Sequence, residues 1–207
     1  MSDIHFYTNP QSRGRIVHWL LEELGEPYET HYLQYGGSMK EPEYLAINPM
    51  GKVPAITHKG AVVTEVPAIC AYLASAYPQS GLLPPAGSPA SAAYFRWLFL
   101  AAGPVEQAVT TKSMGWQATA EQQPTLGFGS YDATINTLEL ALANGLYICG
   151  EQFTAADVYV GSHLTWGLMF ETIEKRPKFV EYVERLATRP AAVRANTINE
   201  EQLKKSQ

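Results

Sequence analysis

In Asn48-Pro49-Met50-Gly51-Lys52-Val53-Pro54-Ala55-Ile56, an X-Pro bond stands at the mouth of a strand. It constrains the chain more than any other feature. X-Pro is the one peptide bond with an accessible cis form. A cis Val53-Pro54 turns the Val53 N–H and C=O outward as an unpaired strand edge, which a short extended peptide can use. A hairpin later, Thr64-Glu65-Val66-Pro67-Ala68-Ile69 followed by Tyr72-Leu73 sets an acidic residue where a strand hands over to a helix. Together these segments predict a small polar pocket built mostly from main chain, suited to a short peptide ligand.

The flanking periodicities supply a sheet for that pocket. Ile4 and Phe6 alternate with His5 and Tyr7, which reads as a first strand ending at Thr8-Asn9-Pro10. From Arg13 the period becomes helical, with Ile16, Trp19, Leu20 and Leu24 on one stripe and Gly25 and Pro27 as stop signals. Residues 28–33 form a second strand, parallel to the first after a right-handed crossover. Residues 54–57 and 62–64 flank His58-Lys59-Gly60 as a hairpin, and Ile69, Tyr72, Leu73 and Ala76 mark a helix on the same sheet. The order is βαβ, then ββα.

Pro78, Gly81, Pro84, Pro85, Gly87 and Pro89 then punctuate the chain, and no strand pattern follows. The expected organisation is a first domain over residues 1–80, a linker over 81–88 and an all-α domain over 89–207, with helices over 91–120, 124–144, 154–170 and 177–188. Thr154-Ala155-Ala156-Asp157 reads as a capping box, in which hydroxyl and acid close two orphan N–H groups at a helix start. The helix it opens has no polar face and belongs in the centre of the second domain. Thr154 and Asp157 therefore serve folding.

Composition narrows the partners. The formal charge is −5 across 207 residues, with Lys and Arg scattered singly, so neither nucleic acid nor an anionic membrane is the expected partner. The longest apolar run, from Trp97 to Gly103, is far short of the ~20 residues of a membrane span. Met1-Ser2-Asp3-Ile4-His5 has neither the basic start nor the apolar run of a secretory signal, so a cytoplasmic location is expected. Cys70 and Cys149 sit in apolar neighbourhoods as core fillers, and the five histidines lack H-x-x-x-H spacing, so no metal is expected.

Four blocks in this order resemble the cytosolic, bacterial-type glutathione S-transferase family over essentially the whole chain. They are Phe6-Tyr7-Thr8-Asn9-Pro10-Gln11-Ser12-Arg13-Gly14-Arg15; Glu22-Glu23-Leu24-Gly25 with Pro27-Tyr28-Glu29; Asn48 to Ile56 with Glu65 to Leu73; and Gly150 with Phe153 to Asp157. The resemblance implies an α/β thioredoxin-like N-terminal domain followed by an all-α C-terminal domain, a homodimer, and glutathione bound as cosubstrate in the first domain. Residue chemistry agrees. No cysteine precedes Cys70, so the turn after the first strand holds no thiol and a working site must borrow one.

A free thiol of pKa about 8.5 is roughly 3% ionised at pH 7, and the thiolate is the attacking species. One hydrogen bond to a charged group is worth ~1.5 to 3 kcal/mol, or roughly one to two pKa units. A placed hydroxyl is enough. Tyr7 and Ser12 compete for this role: Tyr7 has the spacing to Gly25 of the family's Tyr-type classes, and Ser12 lies in the turn where Ser- and Cys-type classes keep their activator, with Thr8 and Asn9 behind them. Ser12 also lies near a helix N-terminus, whose dipole favours an anion.

The resemblance further implies that Glu65 faces the γ-glutamyl ammonium, while Val66 stands where the family keeps a hydroxyl and offers only its N–H to the carboxylate. Val53 and Pro54 form the peptide-binding edge, and Lys40 or Lys52 meets the glycyl carboxylate. Trp97, Glu106, Met114 and Trp116 are expected to line a pocket for a hydrophobic electrophile. The expected activity is transfer of the glutathione thiolate to such an electrophile. A non-catalytic adaptor, or a glutathione-dependent peroxidase or isomerase on the same scaffold, is the alternative.

Overall fold

Strand β1 (Ile4–Thr8) buries Ile4, Phe6 and Thr8 and leaves His5 and Tyr7 half-buried, the alternation expected of a sheet with two unlike faces. The Phe6 ring meets His18 of helix α1 (Gly14–Leu24) edge-on, which identifies the even-numbered face as the one α1 covers. Gly25 ends α1 in the left-handed conformation at φ 74°. Strand β2 (Tyr28–Tyr32) then runs parallel to β1, with Thr8 opposite Tyr32. A short helix α2 (Pro42–Leu45) and a preceding turn of 3₁₀ helix, both unforeseen from the sequence, carry Met39 and Tyr44 into a cluster with Ala55, on which Tyr7, Leu33, Ile47 and Val53 pack.

Strands β3 (Ala55–His58) and β4 (Ala61–Thr64) form an antiparallel hairpin whose two turn residues, Lys59 and Gly60, both have positive φ, as a tight two-residue connection requires. The sheet order is β2-β1-β3-β4, with β3 antiparallel to β1. Helix α3 (Val66–Ala76) follows β4 directly. This is the thioredoxin-like βαβ–ββα order read from the sequence.

Helix α4 (Pro89–Leu100) is capped by the Ser88 side chain and passes through a π-helical turn containing Pro104 into α5 (Glu106–Ser113). The expected helix over 91–120 therefore stops early, where Gly115 turns to φ 74°. The expected helix over 124–144 is likewise shorter: α6 (Tyr131–Ala141) starts only after Ser130 supplies a cap. Helix α7 (Ala155–Met169) has the predicted capping box and a buried, apolar first half, and α8 (Pro177–Ala187) follows.

The computed structural model describes residues 2–143 and 145–205; the last residue of the expected 124–144 helix, and residues 1, 206 and 207 of the expected domains, lie outside them. By contact the chain forms two units, Met1–Gly81 with Thr188–Gln207, and Leu82–Ala187. A final helix, α9 (Pro190–Lys205), was not foreseen, and the expected second domain over 89–207 took in its residues. It packs on α1 through small residues, with Ala191, Ala192, Ala195 and Asn199 buried, so it offers no large apolar stripe to read. Arg189 pairs with Glu23 at 2.6 Å, Arg194 with Glu22 at 2.9 Å, and Glu200 with Arg15.

Candidate glutathione site at the end of the sheet

Register brings the predicted site residues of the first unit to one end of the sheet. Tyr7 lies opposite Ala55, and Ala55 lies opposite Thr64. The carboxyl ends of β1, β2 and β4, the amino end of β3 and the N-termini of α1 and α3 therefore meet there. Open α/β sheets bind ligands at the carboxyl ends of strands, where helix N-termini present N–H groups.

At the start of α1, the Ser12 hydroxyl donates to the Asn9 carbonyl at 2.6 Å and accepts from the Gly14 N–H at 2.9 Å. Asn9 holds the same turn, donating its side-chain amide to the Leu33 carbonyl at 2.7 Å and accepting from the Gln11 N–H. Thr8 lies beneath: its hydroxyl is buried, with no hydrogen-bond partner among the described residues. A Cβ on Gly14 would come within 1.9 Å of that hydroxyl, so only glycine lets the helix start rest this close to β1. Tyr7 points to the opposite face of the sheet. Its ring stacks on His31 with centroids 4.7 Å apart and tilts against Tyr44 at 5.7 Å.

At the start of α3, Glu65 has φ 65° and ψ 119°, a backbone conformation that L residues avoid, and it is exposed. Such a residue costs on the order of 1–3 kcal/mol, and residues of this kind cluster at binding sites. Val66, next to it, is buried as the first residue of the helix, and Pro67 follows within the first turn.

The Val53-Pro54 bond is cis. The turn leading into it is held from several sides, by residues that spacing arguments did not single out. The Tyr44 hydroxyl and the Asn48 side-chain amide both donate to the Lys52 carbonyl, at 2.6 and 2.7 Å. Lys40 donates to the Gly51 carbonyl at 2.9 Å and the Met50 carbonyl at 3.3 Å. Gly51 sits at φ 57°, where a Cβ would come within 2.7 Å of the Met39 carbonyl oxygen. Burial pushes the Tyr44 hydroxyl up to about 12, which keeps it a donor at any physiological pH. An Asn-Pro-x-Gly turn ahead of the X-Pro bond was the available signal for Asn48; α2 itself is too short to read. Lys52 leaves its side chain exposed.

Burial raises the Cys70 thiol to about 12 and the Cys149 thiol to about 11, so neither supplies a thiolate near neutrality.

In the second unit, Trp116 lines a cavity of about 280 Å³ with Lys112, Phe128 and Tyr131. Lys112 stands 3.5 Å above the Tyr131 ring. Met114 is exposed, Trp97 lies under the Arg96 guanidinium at 4.3 Å, and Glu106 faces His163 at 3.8 Å; these three do not line that cavity.

Fold and site define a two-unit protein of the thioredoxin-like class, with polar groups and helix starts gathered at one sheet end. Residues 12–76 match the glutathione S-transferase N-terminal domain, and residues 104–190 match the C-terminal domain. Glutathione S-transferase GstA of Escherichia coli O157:H7 is 30% identical over 150 residues, covering 72% of this chain and 74% of the relative. A glutathione transferase from Methylococcus capsulatus superposes with a TM-score of 0.77 at 28% identity, over 95% of this chain and 98% of that one. A sphingomonad glutathione S-transferase complexed with glutathione gives 0.76 at 26% identity, over the same shares. The chain belongs to the glutathione S-transferase family.

Proposed function

We propose that the protein is a glutathione transferase that holds glutathione at this end of the sheet, ionises its thiol and adds the thiolate to a hydrophobic electrophile. Glu65 takes the γ-glutamyl ammonium and the Val66 N–H takes the neighbouring carboxylate. The Val53 main chain pairs with the cysteinyl residue, as a strand edge pairs with a peptide. Lys52, exposed, meets the glycyl carboxylate, because Lys40 is committed to the carbonyls of Met50 and Gly51. The protein works in the cytoplasm as a homodimer. The presentation of an exposed acid at φ 65° on a helix start carries this reading, since folding alone gains nothing from it.

Ser12 activates the sulfur. Spacing favours Tyr7, but its ring is stacked on His31 on the face away from α1, whereas the Ser12 hydroxyl stands at the α1 N-terminus, whose dipole favours an anion. A thiolate there accepts the Ser12 hydroxyl hydrogen in place of the Asn9 carbonyl, while the Gly14 N–H continues to donate to the Ser12 oxygen. In the reaction, the thiol proton leaves to solvent, sulfur bonds to the electrophilic carbon, and a leaving group departs with its bonding pair. Trp116 and its cavity in the second unit are the electrophile pocket of this reading, and Met114, Trp97 and Glu106 stand outside its lining.

The test is calorimetric titration of glutathione together with conjugation of a generic aryl halide. Binding with turnover is expected. A folded protein that neither binds nor conjugates would be the non-catalytic adaptor, which Val66 in place of a hydroxyl favours.

A further inference from the structure

On the face of the sheet away from α1, His5 of β1 stands opposite Glu29 of β2, and His31 stands opposite Tyr7. Alternation puts all four side chains on one side of the strand pair. His5 Nδ1 lies 3.1 Å from His31 Nε2, Glu29 Oε2 lies 3.5 Å from the first and Glu29 Oε1 3.6 Å from the second, and one ligand atom from each of the three residues falls within 4.8 Å of the others. A tetrahedral zinc ion with bonds of ~2.0–2.1 Å has ligand–ligand edges of roughly 3.3 Å. The His5–His31 edge is already close to that length, and each Glu29 oxygen lies close to it from one of the two imidazole nitrogens.

We propose that His5, Glu29 and His31 bind a divalent ion of the zinc class, two imidazoles and one carboxylate forming three of its ligands. The donor set is the borderline nitrogen–oxygen combination that suits zinc and its late first-row neighbours better than magnesium or calcium. The Glu29 side chain is 58% exposed, so a fourth, solvent-facing position is open to water. Without the ion, one ring donates to the other across the 3.1 Å contact. On binding, each ring turns a ring-nitrogen lone pair to the metal and carries its N–H on the outer nitrogen. Stacking on Tyr7 fixes the plane of the His31 ring. A search for H-x-x-x-H misses this site, because its ligands come from adjacent strands 26 residues apart.

The test uses the full chain without an affinity tag and without glutathione, titrated with Zn²⁺, with Co²⁺ as a spectroscopic probe and Mg²⁺ as control. One equivalent of Zn²⁺ should bind, Co²⁺ should give the visible absorption of a tetrahedral site, and Mg²⁺ should not compete. His31→Asn and Glu29→Gln, checked for fold by circular dichroism, should each weaken Zn²⁺ at least tenfold; His5→Asn joins them if it folds. Absence of Zn²⁺ binding, or binding that survives His31→Asn with unchanged affinity, would overturn the proposal, and neither result touches the glutathione reading.

Discussion

Hydroxyl and acid meet helix starts in both units, yet the two cases differ in where the hydrogen bonds end. At α7, Asp157 is fully buried and accepts from the Ile148 and Thr154 N–H groups and the Thr154 and Tyr182 hydroxyls, all between 2.7 and 2.9 Å. Burial raises the Asp157 carboxyl above its ordinary value against the pull of those bonds, and the same burial drives Tyr182 well up. At α1 and α3, Thr8 has a buried hydroxyl with no partner among the described residues, Glu65 is exposed in a strained conformation, and the half-buried Ser12 hydroxyl bonds only within its own turn, to the Asn9 carbonyl and the Gly14 N–H. A closed network holds a fold together. One left open is material for a ligand.

The closed network depends most on Asp157. Asp157→Ala leaves two N–H groups and two hydroxyls short of an acceptor in a dry interior, which should cost about 4 kcal/mol in denaturant unfolding. A loss below about 1 kcal/mol would deny the network its structural role. Glu65→Gln should do the reverse. Stability should move by no more than about 0.5 kcal/mol, while the Kd for glutathione rises about tenfold to a hundredfold, the worth of one charge-assisted bond; equal losses in both assays would make Glu65 a folding residue. Val66→Ser should restore a hydroxyl at that helix start and tighten glutathione about tenfold, at about 1 kcal/mol of stability for lost apolar burial. An unchanged Kd would mean that the N–H alone suffices.

The smallest effect is one of pH. Burial lowers the His18 pKa from 6.5 even though Asn199 and Glu22 pull it up. The unfolded chain then binds the proton more readily than the native one, so stability falls as pH drops below about 6.5 and levels off below the native value. His18→Gln should flatten that slope, and an identical slope in the variant would assign it to other groups.

The sheet was legible because its signals are local: alternation in β1, a helical stripe ended by Gly25, and a turn built on Lys59 and Gly60. Helix α9 was not, since small residues pack it, and the ion pairs to Glu22 and Glu23 lie far away in sequence. Helix lengths over 91–144 were overread where Gly115 and Ser130 set the ends. In the site, Glu65 and the Val53-Pro54 edge were readable as residue types. The face on which Tyr7 points, and the clamp of Tyr44 and Asn48 on the Lys52 carbonyl, depend on register and on a four-residue helix that no periodicity announces.

Ultraviolet titration of the thiolate of bound glutathione is the most direct measurement. Bound glutathione should ionise one to two pH units below the free thiol in the native protein, Ser12→Ala should return it most of the way, and Tyr7→Phe should leave it within a few tenths of a unit. A bound thiol that ionises like the free one, or a shift that vanishes with Tyr7→Phe and survives Ser12→Ala, would contradict the account.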